Sequence, residues 1–358
     1  MDRSFYLDLA ATGKRLPVAT HLVLHEKKDP EAILLDGARL AQVMLETARR
    51  FDSPLALPIM DLTLEKQILL ATLGVPEADI PTYHFSSPPD AATVEKVARM
   101  DVLASARIRA NCLSLSTIAA SFASGGKEIP IGMSIGPFSL MTKLLQDPIT
   151  PIFMSGNGVT PEEDPDVALL ASLLDVCERT VHACCQAQME AGAKAIFLCE
   201  PAANLVYFSP NQIKDGATVY QDFVIDPNLR LKALFNRNGV DLIFHDCGSL
   251  TPEMVASFAA LDPVIISFGS PVKLWEAEPL LPKNIVLYGN LPTKKFYSDD
   301  EVPLDGVPAL VHEIEDRLRA SGHPFIVGSE CDVLSMPGYE KTIMAKVMAF
   351  TTCGSAHG

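Results

Sequence analysis

The sequence predicts an α/β protein, an eight-stranded (β/α)8 TIM barrel with an N-terminal helical and extended arm. Short apolar runs rich in Ile, Val, Leu and Phe alternate with longer stretches of helical periodicity, seven or eight times along the chain. Strand and helix units in that order pair in parallel through right-handed crossovers. Neither a Gly-x-Gly-x-x-Gly after the first strand nor a Walker phosphate loop occurs, which argues against an open nucleotide-binding sheet. At 358 residues the chain exceeds a typical domain, yet a barrel with insertions reaches this length as one unit.

Residues 1–35 are assigned to the arm and 36–358 to a single barrel. The first 30 residues are polar and weakly periodic, with Lys14-Arg15-Leu16-Pro17 and His25-Glu26-Lys27-Lys28-Asp29-Pro30, and are placed over one end of the fold. From Pro30 to Arg50 apolar residues recur at helical spacing (Ile33, Leu34, Ala38, Leu40, Ala41, Met44, Leu45). Pro54 to Asp61 reads as a buried strand ending in a carboxylate. Ile129 to Gly136 reads as the next strand, and Pro137 opens a helix where its missing N–H costs nothing. Pro165 to Gly192 is a long amphipathic helix that leads into a strand ending at Glu200. Further strands read at Val240–His245, Pro263–Phe268, Asn284–Tyr288 and Pro324–Val327, each ahead of a plausible helix.

Composition narrows the function. Hydrophobic residues make up 48% and charged residues only 20%, so burial rather than surface ion pairing dominates stability. A formal net charge of -15 repels phosphate backbones and anionic lipid, which excludes nucleic acid and membrane surfaces as partners. No apolar run reaches the roughly 18 residues that span a bilayer. The eight cysteines show no paired framework and the N-terminus has no basic, then apolar, leader; the expected compartment is the reducing cytoplasm.

The chemistry concentrates at strand ends. His245-Asp246-Cys247 stands where the run Val240 to Phe244 stops, and Cys331 follows the run Pro324 to Val327 far downstream. One imidazole and two thiols suit tetrahedral zinc, and three protein ligands with one open position is the catalytic arrangement. A structural finger brings four ligands in two close pairs; here only a closed tertiary fold could bring the cysteines together. The competing reading makes Cys247 and Cys331 small buried hydrophobes beside a hydrogen-bonded core histidine. In a barrel, Asp61, Glu200, His245, Cys247 and Cys331 all face the mouth at the C-terminal strand ends, and that convergence favours the metal site. Cys184 and Cys185 lie in mid-helix, where neighbours point to different faces, so they fill the core. His21, His25, His84, His182, His312, His323 and His357 have no partner at ligand spacing, and Cys353 is incidental.

Four segments carry a resemblance: Ile135-Gly-Pro-Phe-Ser-Leu140, Glu190-Ala-Gly-Ala-Lys-Ala-Ile-Phe-Leu-Cys-Glu-Pro-Ala202, Phe208-Ser-Pro210 and His245-Asp-Cys-Gly248. From about residue 35 onward the chain resembles the uroporphyrinogen decarboxylase superfamily. It lacks the arginine-rich N-terminal segment of the type Arg-Gln-Ala-Gly-Arg-Tyr that binds substrate carboxylates in the decarboxylases. His245, Cys247 and Cys331 match the zinc ligands of the corrinoid methyltransferase branch, and Gly328-Ser-Glu-Cys-Asp-Val333 resembles the flank of the last one. The resemblance implies a zinc-dependent transfer of methyl between a methylated corrinoid (cobalamin), carried by a corrinoid protein in trans, and a small thiol acceptor or small-molecule methyl donor. No Asp-x-His-x-x-Gly corrinoid-binding module occurs in the chain itself. Glu200, Asp61 or Tyr207 would supply a fourth zinc ligand or a catalytic group, and Asp61 stands where the decarboxylases carry their catalytic Asp. Met60, Phe138, Tyr207 and Phe208 are expected to line the pocket. The alternatives are a metal-independent decarboxylase or lyase of the same fold, and a non-enzymatic protein that binds a corrinoid or tetrapyrrole.

Overall fold

The computed structural model describes residues 1–354, so His357 lies outside the described residues. Seven strands form one sheet in sequential order: β1 (Leu55–Ala56), β2 (Ile129–Ile135), β3 (Ala195–Cys199), β4 (Asp241–Asp246), β5 (Ile265–Phe268), β6 (Val286–Leu291) and β7 (Phe325–Ser329). Every pairing is parallel, so all strand C-termini open on one end of the molecule. The long helix Pro165–Glu190 begins as its sequence suggests. Pro165 takes the first helical position and the Asp164 carboxylate accepts from the N–H groups of Asp166 and Val167.

Eight strands were expected, and seven are present among the described residues. No strand stands between β7 and β1. Residues 16–20 occupy that side instead: Leu16 makes a single parallel bridge with Gly328, its N–H donating to Val327 O at 3.0 Å. The Thr20 hydroxyl donates to Leu57 O, just beyond β1, at 2.7 Å. Pro17 supplies the physical reason, because without an N–H it cannot continue a ladder beyond one bridge. β1 is likewise shorter than the expected run to Asp61. Pro58 interrupts it, and residues 57–60 carry no regular structure.

Strand residues alternate between two cores. Leu55, Ile131, Met133, Phe197, Cys199, Ile243, Ile265, Tyr288 and Ile326 pack together on the inner face of the sheet, joined by Leu16 and Val18. Their neighbours Ile196, Leu198, Leu242, Phe244, Ile266, Phe268 and Leu287 belong to the larger core shared with the surrounding helices. Both faces are buried, which is why these strands read as continuous apolar runs. Cys184 and Cys185 obey the same geometry on their helix: both are buried, in different clusters.

Within residues 1–35, the helix Arg3–Ala11 lies under the N-terminal strand ends. The Tyr6 hydroxyl donates to Asp241 at the start of β4, and Arg3 donates to the carbonyls of Pro263 and Asn284, which enter β5 and β6. The short helix Thr20–Leu24 is buried. Arg15 forms a buried ion pair with Glu315 at 2.8 Å and also donates to the carbonyl of Cys353. No helix among the described residues is long and apolar enough to cross a membrane.

Candidate metal centre

β4 and β7 deliver the three ligand candidates to one place. A ring nitrogen of His245 and the sulfurs of Cys247 and Cys331 lie within 4.8 Å of one another, the only such group among the described residues. Register explains the histidine. His245 on β4 pairs with Ser267 on β5, so the two side chains share the inner face, and His245 Nδ1 meets Ser267 Oγ at 2.9 Å. That contact occupies Nδ1 and leaves Nε2, buried, with no hydrogen-bond partner. An orphaned buried ring nitrogen costs about 1–3 kcal/mol unless something binds it. Two sulfurs beside it make a divalent, thiophilic cation the group that fits.

Backbone turns set the cysteines. Beyond β4 the Asp246 side chain accepts from Gly248 N–H at 2.7 Å, and its carbonyl accepts from Gly269 N–H at 3.0 Å, which turns the chain so that Cys247 projects beside His245. Gly269 has to be glycine here: a Cβ on it would stand 2.4 Å from Cys247 O. Cys331 is fixed by the residue before it. The buried Glu330 carboxylate accepts from the Ser270 hydroxyl at 2.6 Å and from Lys294 N–H at 3.1 Å, tying the end of β7 to the loops after β5 and β6. On its other side the Cys331 sulfur lies 3.6 Å from Met60 Sδ.

The electrostatics favour thiolate. A hydrogen bond from Cys331 holds the Cys247 thiol well below its ordinary range; against burial, His245 and the charge of Lys294 act in the same direction. Cys331 is pushed up by the thiolate it serves. One negative charge is therefore shared across the pair, and a cation placed between the sulfurs would release the second proton. Burial opposes the Lys294 ammonium, but Cys247, Cys331 and Glu330 outweigh it and raise its pKa.

The sequence matches the uroporphyrinogen decarboxylase (URO-D) family over residues 19–351. The chain belongs to the uroporphyrinogen decarboxylase family. Among solved structures it is similar to a methyltransferase from Methanosarcina mazei, with a TM-score of 0.64 and 15% identity, covering 94% of this chain and 93% of that one. No curated protein sequence matches it.

The other residues singled out in this uroporphyrinogen decarboxylase family member take separate places. Glu200 is fully buried just past β3, and both its oxygens are committed: Oε1 accepts from Phe138 N–H at 3.2 Å and Asn228 Nδ2 at 3.0 Å, and Oε2 from Ser139 N–H at 2.8 Å. It caps the helix Pro137–Thr142, and Gly136 leaves room for it, since a Cβ there would overlap the carboxyl. Burial raises its pKa and these donors partly offset that rise. Asp61 accepts from Arg107 at 2.7 Å and from the Thr63 hydroxyl at 2.6 Å. Tyr207 is half-buried edge-on to Phe138, and its hydroxyl has no hydrogen bond among the described residues. Phe138 and Phe208, expected at the pocket, are core residues with ring centroids 4.9 Å apart and tilted by 33°; the helix Pro137–Thr142 packs against the long helix Pro165–Glu190.

Of the remaining histidines, His21 Nδ1 accepts from Ser335 N–H at 2.9 Å, and burial pulls its pKa down to about 4. His323 is buried against Ile285 O. Ser267, Glu330 and Lys294 were not anticipated. Ser267 had one sequence signal, a lone polar residue inside the apolar run Pro263 to Phe268; Glu330 and Lys294 had none beyond standing near strand ends.

Proposed function

We propose that the chain is a zinc-dependent methyltransferase that exchanges a methyl group between a corrinoid protein, supplied in trans, and a small thiol or methylated substrate. The observation that carries this reading is the buried, partnerless His245 Nε2 gathered with two cysteine sulfurs at the C-terminal strand ends. Zinc bound there would act as a Lewis acid that keeps a substrate thiol ionised at neutral pH. His245, Cys247 and Cys331 would hold it and leave one position open. Ser267 fixes the imidazole tautomer by taking Nδ1, so that the Nε2 lone pair faces the sulfurs. The Glu330 links to Ser270 and Lys294 hold Cys331 in place, and Met60 screens one side of its sulfur from water.

The family admits decarboxylases, and the likeness to a Methanosarcina mazei methyltransferase supports methyl transfer. Among the three proposed catalytic groups, Glu200 and Asp61 act by positioning, because their oxygens are already bonded to protein donors. Tyr207 alone keeps an uncommitted hydroxyl with which to act on a substrate.

The test has two parts. Protein purified without chelator should carry about one zinc per chain by elemental analysis, and should convert methylcobalamin to the Co(I) form when given a small thiol, followed by its visible spectrum. Metal-free protein that retains full methyl transfer would overturn the zinc mechanism, and loss of carboxylate from uroporphyrinogen with no change at cobalt would replace this reading with a decarboxylase.

A further inference from the structure

A pair of lysines the metal chemistry does not use lines a cavity beside the ends of β1 and β2. The cavity holds about 380 Å3 and is walled by Thr63, Lys66, Gln67, Pro81, His84 and Lys143. It shares Gln67, Ile80 and Pro81 with an adjoining cavity of about 500 Å3, whose other walls include Ile68, Ala71 and Val75. One chamber is cationic; its neighbour offers the apolar surface of Ile68, Ala71, Val75 and Ile80, with the exposed Glu77 on its rim.

The cations are held in place without a counter-ion. Lys66 is only 8% exposed, and its ammonium donates to the carbonyls of Lys143 at 2.9 Å and Pro81 at 3.3 Å, neutral acceptors that leave its charge unbalanced. A third link, Phe85 N–H to Leu144 O at 2.9 Å, ties the same two loops together. Lys143 is half-buried, and its ammonium has neither hydrogen bond nor ion pair among the described residues. The carboxylates nearest in charge are engaged elsewhere: Asp61 with Arg107, and Glu65 with the Ser134 hydroxyl at 2.6 Å. Burial, and then repulsion from Lys143, lowers the Lys66 pKa. The two ammonium groups beside this partly desolvated cavity repel each other, and an anion held at Lys143 would relieve that repulsion and gain charge-assisted hydrogen bonds.

We propose that this double cavity binds a small amphiphilic anion. Its acidic group, a carboxylate, sulfonate or phosphate, sits between Lys143, Lys66 and His84, and its apolar part lies against Ile68, Val75 and Ile80. The site is built from residues outside the metal centre and does not depend on the methyltransferase reading. In a chain of net charge -15, a local cationic cavity is also what an anion needs to approach at all.

Isothermal titration calorimetry on the full chain tests this with phenyl phosphate, inorganic phosphate and benzyl alcohol. Phenyl phosphate should saturate one site and bind more tightly than either of the other two probes. Lys143→Met should weaken phenyl phosphate at least about 10-fold, the scale of one lost charge-assisted contact, while leaving the melting temperature and zinc content of the unliganded protein unchanged or the melting temperature slightly raised. His84→Ala should weaken it less, since that side chain is exposed. Three results would overturn the proposal: no saturable heat with phenyl phosphate, undiminished binding to Lys143→Met, or a lowered melting temperature in that variant that phosphate does not restore, which would make Lys143 a structural prop.

Discussion

The two sides of the sheet are built differently. On the β4 to β7 side, strands of four to six residues are paired on both edges or braced at their ends, and the three ligand candidates lie on such a strand (His245) or within two residues of its end (Cys247, Cys331). On the β1 side the strand is two residues long, and Asp61, Glu65 and Lys66 follow irregular chain. Where the ladder is long, the sheet register itself fixes side chains to within hydrogen-bond tolerance, as His245 and Ser267 show. Where it is short, side chains must do that work, and Asp61 with Arg107, Lys66 with two carbonyls and Glu65 with Ser134 are the result. A metal needs the first kind of precision; a cavity for a flexible anion tolerates the second.

The comparison breaks most directly at the ligands. Replacing Cys247 or Cys331 by Ala should remove most bound zinc and reduce methyl transfer by more than about 1000-fold, while the fold survives because neither thiol is fully buried in the core. Zinc content, activity and circular dichroism on the same samples would check it. Unfolding of both variants would mean the cysteines are packing residues.

Glu65 tests the other side through pH. Burial lifts its carboxyl from 4.5 to about 7, against the opposing Ser134 hydrogen bond. A raised carboxyl favours the protonated folded form, so its contribution is complete below the unfolded value of 4.5 and is lost as pH climbs towards 7. The loss is roughly 3 kcal/mol, at about 1.4 kcal/mol per pKa unit. Urea midpoints of wild type should therefore fall over that window by more than those of Glu65→Gln, and parallel profiles would contradict the assignment.

Ser267→Ala is the finer probe of the metal side. It removes the group that selects the His245 tautomer without touching a ligand, and should weaken zinc by about 10- to 100-fold while leaving thermal stability nearly unchanged. Competition with a chelator measures it. Equal affinity would show that strand register alone orients the ring.

The same contrast explains what the sequence disclosed. His245, Cys247 and Cys331 were legible because each follows a run of apolar residues buried on both faces, the strongest strand signal in the chain. Leu16 was not legible as a strand substitute, since one bridge beside Pro17 leaves no periodic trace. Glu200 was visible as a carboxylate at a strand end, but its role as the cap of Pro137–Thr142 depends on Gly136 lying opposite, a tertiary fact. Lys66 and Lys143 carried no signal, because the cavity they share joins segments separated in sequence by an entire strand and three α-helices.

Asp61→Asn should have the smallest effect and decides the most about Asp61. Its ion pair with Arg107 is about a fifth exposed on each side (20% and 23%), so solvent screening limits its worth to about 0.5–1 kcal/mol of stability. Asparagine keeps one oxygen to accept from the Thr63 N–H and hydroxyl but puts an amide NH2 where Oδ2 accepts from Arg107, so the turn should hold while the Arg107 contact is lost. If methyl transfer is the reaction, activity should then fall by less than about 5-fold, as expected for loss of a positioning contact of that energy. A far larger fall, with zinc content and melting temperature unchanged, would mean the carboxylate itself takes part in the chemistry. That outcome would shift the reactive centre from the well-braced β4 to β7 side to the β1 loop, where this family's decarboxylases are expected to carry their catalytic Asp.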